Sequence, residues 1–512
     1  MFDLLFNGFS VALSGTNLLL VVVGCFLGTV IGMLPGIGPI NAIAILFPIV
    51  LQFDMPASSA LIFFAGIFYG SQYGNSISSI LLNVPGTSSA AVTCIDGHPL
   101  ANQGRAGAAL AMSAVASFVG GTISIFFLIL FAPFLAKLAI DFGPAEYFVL
   151  MICAFTALTS FSQGSFIKAM FSAVLGLAIA TVGIDELSFG GTKRFTFGIR
   201  ELDDGIDFIV VVIGVFAVGE LLLFLSEKTK YGAEKIIPLD KVLLTFKELR
   251  DSIGGILRSC VTGFFVGVLP GAGATIASFL AYNTEKKMAG DKGNFGKGDL
   301  RGVAAPESAN NSSAVGSFIP LLVLGVPGSE TTAVMLGALI TLGVRPGPTM
   351  LVDSPDIFWG VAASMFIGNL VLIVLNLPLV RLLAKILQIP KWILMPLIAI
   401  LSIVGVYVIN GSEFDLLLML IFGVVGFVMR KTGFPIAPLV LGLVLGGLIE
   451  VNFRRALTYS YGEFSTFYES PISITLWLIT LSSLLAPVLF RFIRRYIDKR
   501  RLDQKGRAKK SI

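Results

Sequence analysis

The chain has 512 residues, of which 55% are hydrophobic and 13% charged, with a mean hydropathy of +0.89 and a formal net charge of +5. Because the charged fraction is about half that of a soluble domain, a water-soluble fold could not bury this much apolar surface. A lipid bilayer can cover it, provided that the chain contains apolar runs of roughly 20 residues. Composition therefore excludes a soluble globular protein. It also gives no indication of nucleic-acid binding, since the basic residues lie at segment ends.

Apolar runs recur along the whole chain and predict an all-α integral membrane protein with about 10 to 12 membrane passes. The first run is not preceded by a basic residue, so we do not interpret it as a cleavable signal peptide. The clearest runs are Leu18 to Met33, Ala106 to Leu135, Tyr147 to Leu158, Ile206 to Leu225, Phe358 to Leu383, Trp392 to Ile409, Phe414 to Met429, Ile436 to Ile449 and Ile472 to Phe490.

The distribution of Lys and Arg predicts the orientation. The C-terminal tail from Arg491 to Lys510 is densely basic and is expected in the cytoplasm, whereas the N-terminus MFDLLFNGF has no basic residue and is expected outside. An odd number of passes follows. We predict a first membrane half at 1–226, a cytoplasmic or amphipathic linker at 227–258, a second membrane half at 259–490 and a basic tail at 491–512.

Two motifs occur once in each half and indicate an internal repeat. Residues 32–39 read GMLPGIGP and residues 267–274 read GVLPGAGA. Further along each half, GNSISSILLNVPGTSSAAV at 74–92 aligns without a gap to GSFIPLLVLGVPGSETTAV at 316–334. Proline removes an amide donor and glycine permits turns, so LPG and VPG are expected to interrupt helices at membrane depth.

The charges that flank the repeats predict that the two halves are inserted upside down relative to each other. After the first LPG, the apolar run ends in LQFDMP, with an acid and no base, whereas the run after the second ends at 285–301 with five bases. Inverted repeats with broken helices are typical of secondary transporters, whose site lies near the membrane midplane. Helix starts there attract anions, and freed carbonyls can coordinate Na⁺.

Hydroxyl and amide side chains beside both VPG motifs suit a carboxylate. The alternative is that they only cap helices or hold them together. The predicted substrate-binding residues are Asn75, Ser76, Ser79, Pro85, Gly86, Thr87, Ser88, Ser89, Asn310, Asn311, Ser312, Pro327, Gly328, Ser329, Thr331 and Thr332.

A second set could hold a coupling cation, Na⁺ or H⁺, through carboxylates, hydroxyls and backbone at the breaks. The two acids in it are equally compatible with capping nearby amides. The predicted cation-binding residues are Gly36, Asn83, Gly271, Glu307, Ser313 and Glu330. Arg345, His98 and Arg105 could attract a polyanion or anchor the chain at the interface.

Enzyme motifs are lacking: the sequence has no HExxH, GxSxG, Walker or Rossmann pattern and one His. No catalytic residue, cofactor or transition-metal site is predicted, and the scattered cysteines indicate no disulfide. Two competing hypotheses are a membrane-embedded enzyme that uses Glu307 or Glu330 with His98, and an ion channel.

The sequence resembles the large membrane subunit of the bacterial tripartite tricarboxylate transporters. The resemblance rests on LPGIGP, YGNSISSILLNVPGTSSAAVTCIDGHPLANQGRAG, LPGAGATIASFLAY and GVAAPESANNSSAVGSFIPLLVLGVPGSETTAVMLGAL, and it extends over nearly the whole chain. It implies an inner-membrane permease for citrate-like or other carboxylates, driven by a cation gradient, with a small membrane subunit and a periplasmic binding protein as partners. By analogy with other binding-protein-dependent carriers, an elevator movement would follow. A stand-alone carboxylate carrier is the alternative.

Overall fold

The computed structural model describes residues 2–485 apart from 35–36, 162–164, 186–187, 189–190, 227–236, 291–292, 388 and 390. Almost all regular structure in this part of the chain is helical, which confirms the predicted all-α class. The first part of the chain forms α1 (Phe2–Ala12), α2 (Gly15–Met33), α3 (Gly38–Gln52), α4 (Ala57–Leu82), α5 (Ala91–Asn102), α6 (Ala106–Ala139), α7 (Pro144–Phe161), α8 (Phe166–Ala180), β1 (Gly183–Asp185), β2 (Thr192–Arg194), α9 (Phe208–Val212) and α10 (Gly219–Ser226).

The second part of the chain is also helical. The π-helical segment Ile213–Val218 joins α9 to α10, and a second one, Pro320–Leu324, follows α13. The remaining helices are α11 (Phe246–Val268), α12 (Gly273–Ala289), α13 (Arg301–Gly316), α14 (Glu330–Thr341), α15 (Met350–Asp353), α16 (Pro355–Asn376), α17 (Val380–Ile386), α18 (Lys391–Asn410), α19 (Glu413–Thr432), α20 (Ala437–Tyr459), α21 (Thr466–Glu469) and α22 (Pro471–Leu485).

Seven helices in the described part of the chain are long and apolar enough to cross a membrane, and five shorter apolar helices accompany them. Large apolar side chains on the outer helices face outward, for example Leu397 and Ile400 on α18 and Leu420 and Val424 on α19. Such exposed apolar surface is expected where lipid takes the place of water. The polar side chains described below lie inside, away from this surface.

The helices break where LPG and VPG predict. In the first half α2 ends at Met33 and α3 begins at Gly38, and in the second α11 ends at Val268 and α12 begins at Gly273. At the VPG motifs, the preceding helical segment ends in a left-handed residue in both halves, Asn83 with φ 59° and Gly325 with φ 68°. The aligned sequences therefore adopt matching backbone turns.

Closely packed glycines hold each LPG helix against its VPG helix. On α2, Gly24, Gly28 and Gly32 recur every four residues and face the backbone of α4, so that an added Cβ at any of them would collide with a carbonyl oxygen. Gly263 and Gly267 of α11 meet α13 in the same way. Small residues at this spacing let two helix backbones approach closely inside a membrane. As a result, the two VPG turns are carried on rigid helix pairs.

A buried carboxylate ties α5 to the connection between α12 and α13. Oδ1 of Asp96 accepts backbone N–H bonds from Gly296, Gly298 and Asp299 at 2.8 to 2.9 Å, and Oδ2 accepts from the Tyr282 hydroxyl at 2.9 Å. In the segment between α12 and α13, burial acts to raise the pKa of Asp299, but hydrogen bonds from Arg301 and Asn294 and the charge of Arg301 outweigh it and hold this pKa below its ordinary value. The first VPG segment is thereby anchored to the second half of the chain.

Candidate functional site

A cavity of about 630 Å³ lies where the helix interruptions of both halves meet. Its wall includes the first turns of α3 and α12, which follow the LPG motifs, and the residues that lead into α5 and α14 after the VPG motifs. Four helix starts therefore face one space. The lining residues are Ile37, Gly38, Pro39, Ile40, Asn41, Phe68, Gln72, Pro85, Gly86, Thr87, Ser88, Ser89, Phe216, Gly271, Ala272, Gly273, Ala274, Thr275, Ile276, Ser313, Ala314, Ser329, Glu330, Thr331 and Arg430.

The helix starts at the LPG side have no side-chain caps. The residue before α3 is Ile37 and the residue before α12 is Ala272, and neither provides a side-chain hydrogen bond to the first turn. The first N–H groups of a helix have no partner within the helix, and the positive end of the helix dipole lies there. The cavity wall thus offers uncapped backbone donors on two sides, which suits an anion.

The second VPG turn is capped internally. Ser329 and Thr332 form a reciprocal capping box at the start of α14, with Ser329 N–H donating to Thr332 Oγ1 at 2.8 Å. In the first half, Asn75 Nδ2 donates to Thr87 Oγ1 at 2.7 Å, and the Thr87 and Ser89 hydroxyls are 2.9 Å apart. The hydroxyls at the two turns are therefore held in place by bonds within their own half.

Ten of the residues predicted for substrate or cation line this cavity. The predicted substrate residues that do so are Pro85, Gly86, Thr87, Ser88, Ser89, Ser329 and Thr331, and the predicted cation residues are Gly271, Ser313 and Glu330. The structure thus brings together both VPG turns, which are more than two hundred positions apart in the sequence. Their roles stay predictions.

The other predicted residues do not line the cavity, and Gly36 lies outside the described residues. Several form a buried layer directly behind its wall, where Asn310 Nδ2 is 3.4 Å from the Gln72 carbonyl oxygen and Asn75 contacts Thr87. The residues away from the wall are Asn75, Ser76, Ser79, Asn83, Glu307, Asn310, Asn311, Ser312, Pro327, Gly328 and Thr332.

The glycines of the two VPG motifs allow a close approach between backbone segments. An added Cβ at Gly86 would collide with the carbonyl oxygen of Gly32, and one at Gly328 would press on that of Gly267, its counterpart in the repeat. Gly271 N–H also donates to the Gly328 carbonyl at 3.1 Å. These close approaches require glycine, so each VPG turn is seated on the LPG break of its own half.

The two predicted acids have different surroundings. Glu307 is completely buried on α13, where Thr93 donates to its Oε1 and Oε2 has no hydrogen-bond partner. Glu330 is the first residue of α14 and its side chain opens into the cavity. An acid in the first turn of a helix lies beside the positive end of the helix dipole, and Glu330 occupies this position at the cavity.

Several buried polar atoms on α13 have no partner. They lie within two turns of the helix, where Glu307 has a polar neighbour on α5 and Asn310 has one on α4. Buried polar groups are nearly always bonded to protein, water or an ion, so this cluster needs such partners. The atoms are Glu307 Oε2, Asn310 Oδ1, Asn311 Oδ1, Ser312 Oγ and Ser313 Oγ.

Sequence reasoning did not identify the residues that line the cavity from outside the motifs. Arg430 of α19 is a cation in the wall, and Phe216 comes from the π-helical segment before α10. Gln72, Asn41 and Thr275 also line it. For Arg430 the sequence held no distinctive signal, because a basic residue at the end of an apolar run is ordinarily an anchor at the membrane interface.

The remaining basic candidates lie away from the cavity. His98 Nδ1 is 3.1 Å from the Ile80 carbonyl oxygen, Arg105 pairs with Glu248, and Arg345 is exposed.

Long apolar helices around a cavity that is built from helix starts and carries hydroxyl, amide and charged groups define a multi-pass membrane protein of the transporter class. Comparison with known families makes this specific: the chain belongs to the tripartite tricarboxylate transporter TctA family, whose model matches residues 18–441. The resemblance inferred from the motifs is thereby confirmed.

Two relatives come from Agrobacterium vitis. The "Uncharacterized 52.8 kDa protein in TAR-I ttuC' 3'region" is 42% identical over 494 residues, which are 96% of this chain and 97% of the relative. The "Uncharacterized protein in TAR-II ttuC' 3'region" is 46% identical over 214 residues, which are 42% of this chain and 88% of the relative. No solved structure matches the chain.

Proposed function

We propose that this protein is the permease subunit that carries tricarboxylate or related carboxylate anions across the bacterial inner membrane, driven by a cation gradient. The observation that carries the proposal is the single cavity onto which the uncapped starts of α3 and α12 and the hydroxyl-bearing VPG turns open. Family membership supports the tricarboxylate class.

The polar groups of the wall fit a carboxylate. A volume of about 630 Å³ falls within the roughly 300–1,000 Å³ of small-molecule sites. Thr87, Ser88 and Ser89 from one turn and Ser329 and Thr331 from the other provide hydroxyl donors. Each uncapped helix start adds about 0.3–2 kcal/mol of favourable interaction with an anion.

The coupling ion is proposed to be Na⁺, with H⁺ as the alternative. Glu330 and Ser313 provide oxygen ligands on the cavity side, and the unpartnered oxygens of α13 provide more behind the wall. Hard oxygen ligands of this kind suit an alkali cation. A cation near the anion would also offset its charge in a medium of low dielectric constant.

The partners and the transport movement are proposed from the family. A periplasmic binding protein would deliver the substrate and a small membrane subunit would complete the assembly, with the N-terminus outside and the C-terminus in the cytoplasm. Matching turns at the two VPG motifs and matching glycine contacts on α2 and α11 support an internal repeat, and the charges that flank the repeats are the argument for its inversion. An elevator movement of the helix pairs that carry the VPG turns is compatible with their rigid packing.

Uptake into proteoliposomes tests this function. The purified permease with its small subunit and binding protein should accumulate labelled citrate or another carboxylate only with an inward Na⁺ gradient. Uptake that persists undiminished without any ion gradient and binding protein would contradict the proposal. A stand-alone carrier would need the gradient alone, a channel would not saturate, and a membrane-embedded enzyme would convert the solute.

A further inference from the structure

The cavity has one basic residue among its described lining residues. This is Arg430, and the one acidic residue among them is Glu330, while the other polar lining residues are hydroxyls and amides. A carboxylate that enters the membrane region loses the stabilisation of bulk water, which neutral donors replace only in part. The guanidinium of Arg430 is therefore the strongest anion-binding side chain available in the described wall.

Arg430 belongs to neither of the VPG turns and neither of the LPG breaks. It lies near the end of α19, where its Nη1 is ion-paired with Glu220 of α10 and its Nη2 is 3.5 Å from the Phe216 carbonyl oxygen. The Nε atom is buried and has no hydrogen-bond partner. Because a guanidinium has five N–H donors in a fixed fork, this arrangement leaves donors for a further acceptor.

Glu220 explains how a cation can be kept beside the cavity. An unpaired guanidinium that is largely buried is costly, and the ion pair supplies a resident counter-charge before any substrate binds. Arginine matches a carboxylate with two parallel N–H bonds, which lysine cannot do. A substrate carboxylate can thus bind the remaining donors of Arg430 while Glu220 stays in contact.

We propose that Arg430 binds one carboxylate group of the transported anion and makes the cavity selective for carboxylates over neutral solutes. The inference rests on the proposed function and adds a specificity-determining residue to it. Substitution by a neutral residue removes the anion's charged partner, so Arg430→Gln should raise the KM for uptake roughly 10- to 100-fold. Arg430→Lys keeps the positive charge but loses the paired N–H donors of the guanidinium, so its KM should lie between those of the wild type and Arg430→Gln.

Removing Arg430 also breaks its ion pair with Glu220, and a double variant separates the two effects. In Arg430→Gln/Glu220→Gln both members of this pair are neutral, so a purely structural role predicts that the KM returns to the wild-type value. A substrate-binding role predicts that the double variant stays impaired. Arg258→Gln serves as the matched control, because Arg258 is paired with the buried Glu285 and does not line the cavity.

The experiment measures uptake into proteoliposomes with the complete transporter, using whichever of citrate, tartrate and succinate the wild type carries best. We expect a raised KM in Arg430→Gln and in the double variant, and wild-type kinetics in Arg258→Gln. Wild-type KM in Arg430→Gln, or recovery in the double variant, would overturn this inference and leave the proposed function standing. Failure of the wild type to carry any carboxylate would overturn both.

Discussion

Thr87 links the wall of the cavity to the layer behind it. Its hydroxyl accepts from Asn75 Nδ2 at 2.7 Å and lies 2.9 Å from the Ser89 hydroxyl. Thr87→Val keeps the shape, removes this hydroxyl and leaves the buried amide of Asn75 with one partner fewer. We expect the KM for carboxylate uptake to rise about tenfold, because one hydrogen bond of about 1–2 kcal/mol is lost.

Thr87→Ser is the matched control, since it keeps the hydroxyl and removes only a methyl group. Kinetic measurement of uptake in both variants decides the point. Equal KM values for Thr87→Val and the wild type would mean that the hydroxyl at this turn does not contribute to substrate binding.

Substitution of Asn310 tests the role of the buried polar residues behind the cavity wall. Its Nδ2 contacts the Gln72 carbonyl and its Oδ1 is one of the unpartnered atoms on α13. Since Asn310 does not line the cavity, Asn310→Ala should lower uptake by raising the Na⁺ concentration needed for half-maximal rate about tenfold. At saturating Na⁺ the KM for the carboxylate should stay near that of the wild type.

A second buried amide provides the control for Asn310. Asn376 on α16 also has an unpartnered Oδ1, and its Nδ2 donates to the Leu372 carbonyl in its own helix. Asn376→Ala should leave the Na⁺ dependence unchanged. An identical Na⁺ response in Asn310→Ala and the wild type would remove this residue from the cation site.

At the scale of helices, the contact between α2 and α4 depends on glycine. An added Cβ at Gly28 would collide with the backbone of Ile67, which cannot move aside without shifting α4. Gly28→Ala should therefore destabilise the protein by about 1–3 kcal/mol and lower its thermal midpoint in detergent. Gly447 on α20 has nothing within 4 Å of an added Cβ, so Gly447→Ala should leave the midpoint unchanged or raise it slightly.

The same helix pair shows what the sequence could and could not predict. Proline and glycine act on their own backbone, so the LPG and VPG breaks, and the hydroxyls beside them, could be located from the sequence. The meeting of Thr87 with Ser329 at one cavity could be expected from the repeat alone. By contrast, which face of α4 or α13 points into the cavity depends on packing, and this is why Asn75 and Asn310 were predicted in the wall but lie behind it.

Arg430 shows most clearly which part of the site could not be predicted from the sequence. Its place in the wall depends on how α19 packs against the helix 208–226, an arrangement between segments about two hundred positions apart. No motif surrounds Arg430, and its partner Glu220 belongs to the other half of the sequence. Only the three-dimensional arrangement relates these two charges to the VPG turns.

For the whole molecule, the flanking charges predict that the two halves are inserted in opposite directions. The end of α3 and the connection after α12 occupy matching positions in the repeat, and each has an exposed residue, Gln52 and Lys297 respectively. The charges around them differ, with an acid near the first and several bases near the second. By the preference of basic loops for the cytoplasm, Gln52 should face outside and Lys297 inside.

Cysteine labelling measures this directly. Single cysteines, Gln52→Cys and Lys297→Cys, are placed in a variant in which Cys25, Cys94, Cys153 and Cys260 have been replaced. A membrane-impermeant maleimide added to intact spheroplasts should label the first and reach the second only after permeabilisation. Labelling of both from the same side would show that the halves share one direction, and the shared cavity would then need another explanation. Labelling of Lys297→Cys alone would keep the inverted repeats and reverse the orientation, because the relation between the halves and their direction in the membrane are independent.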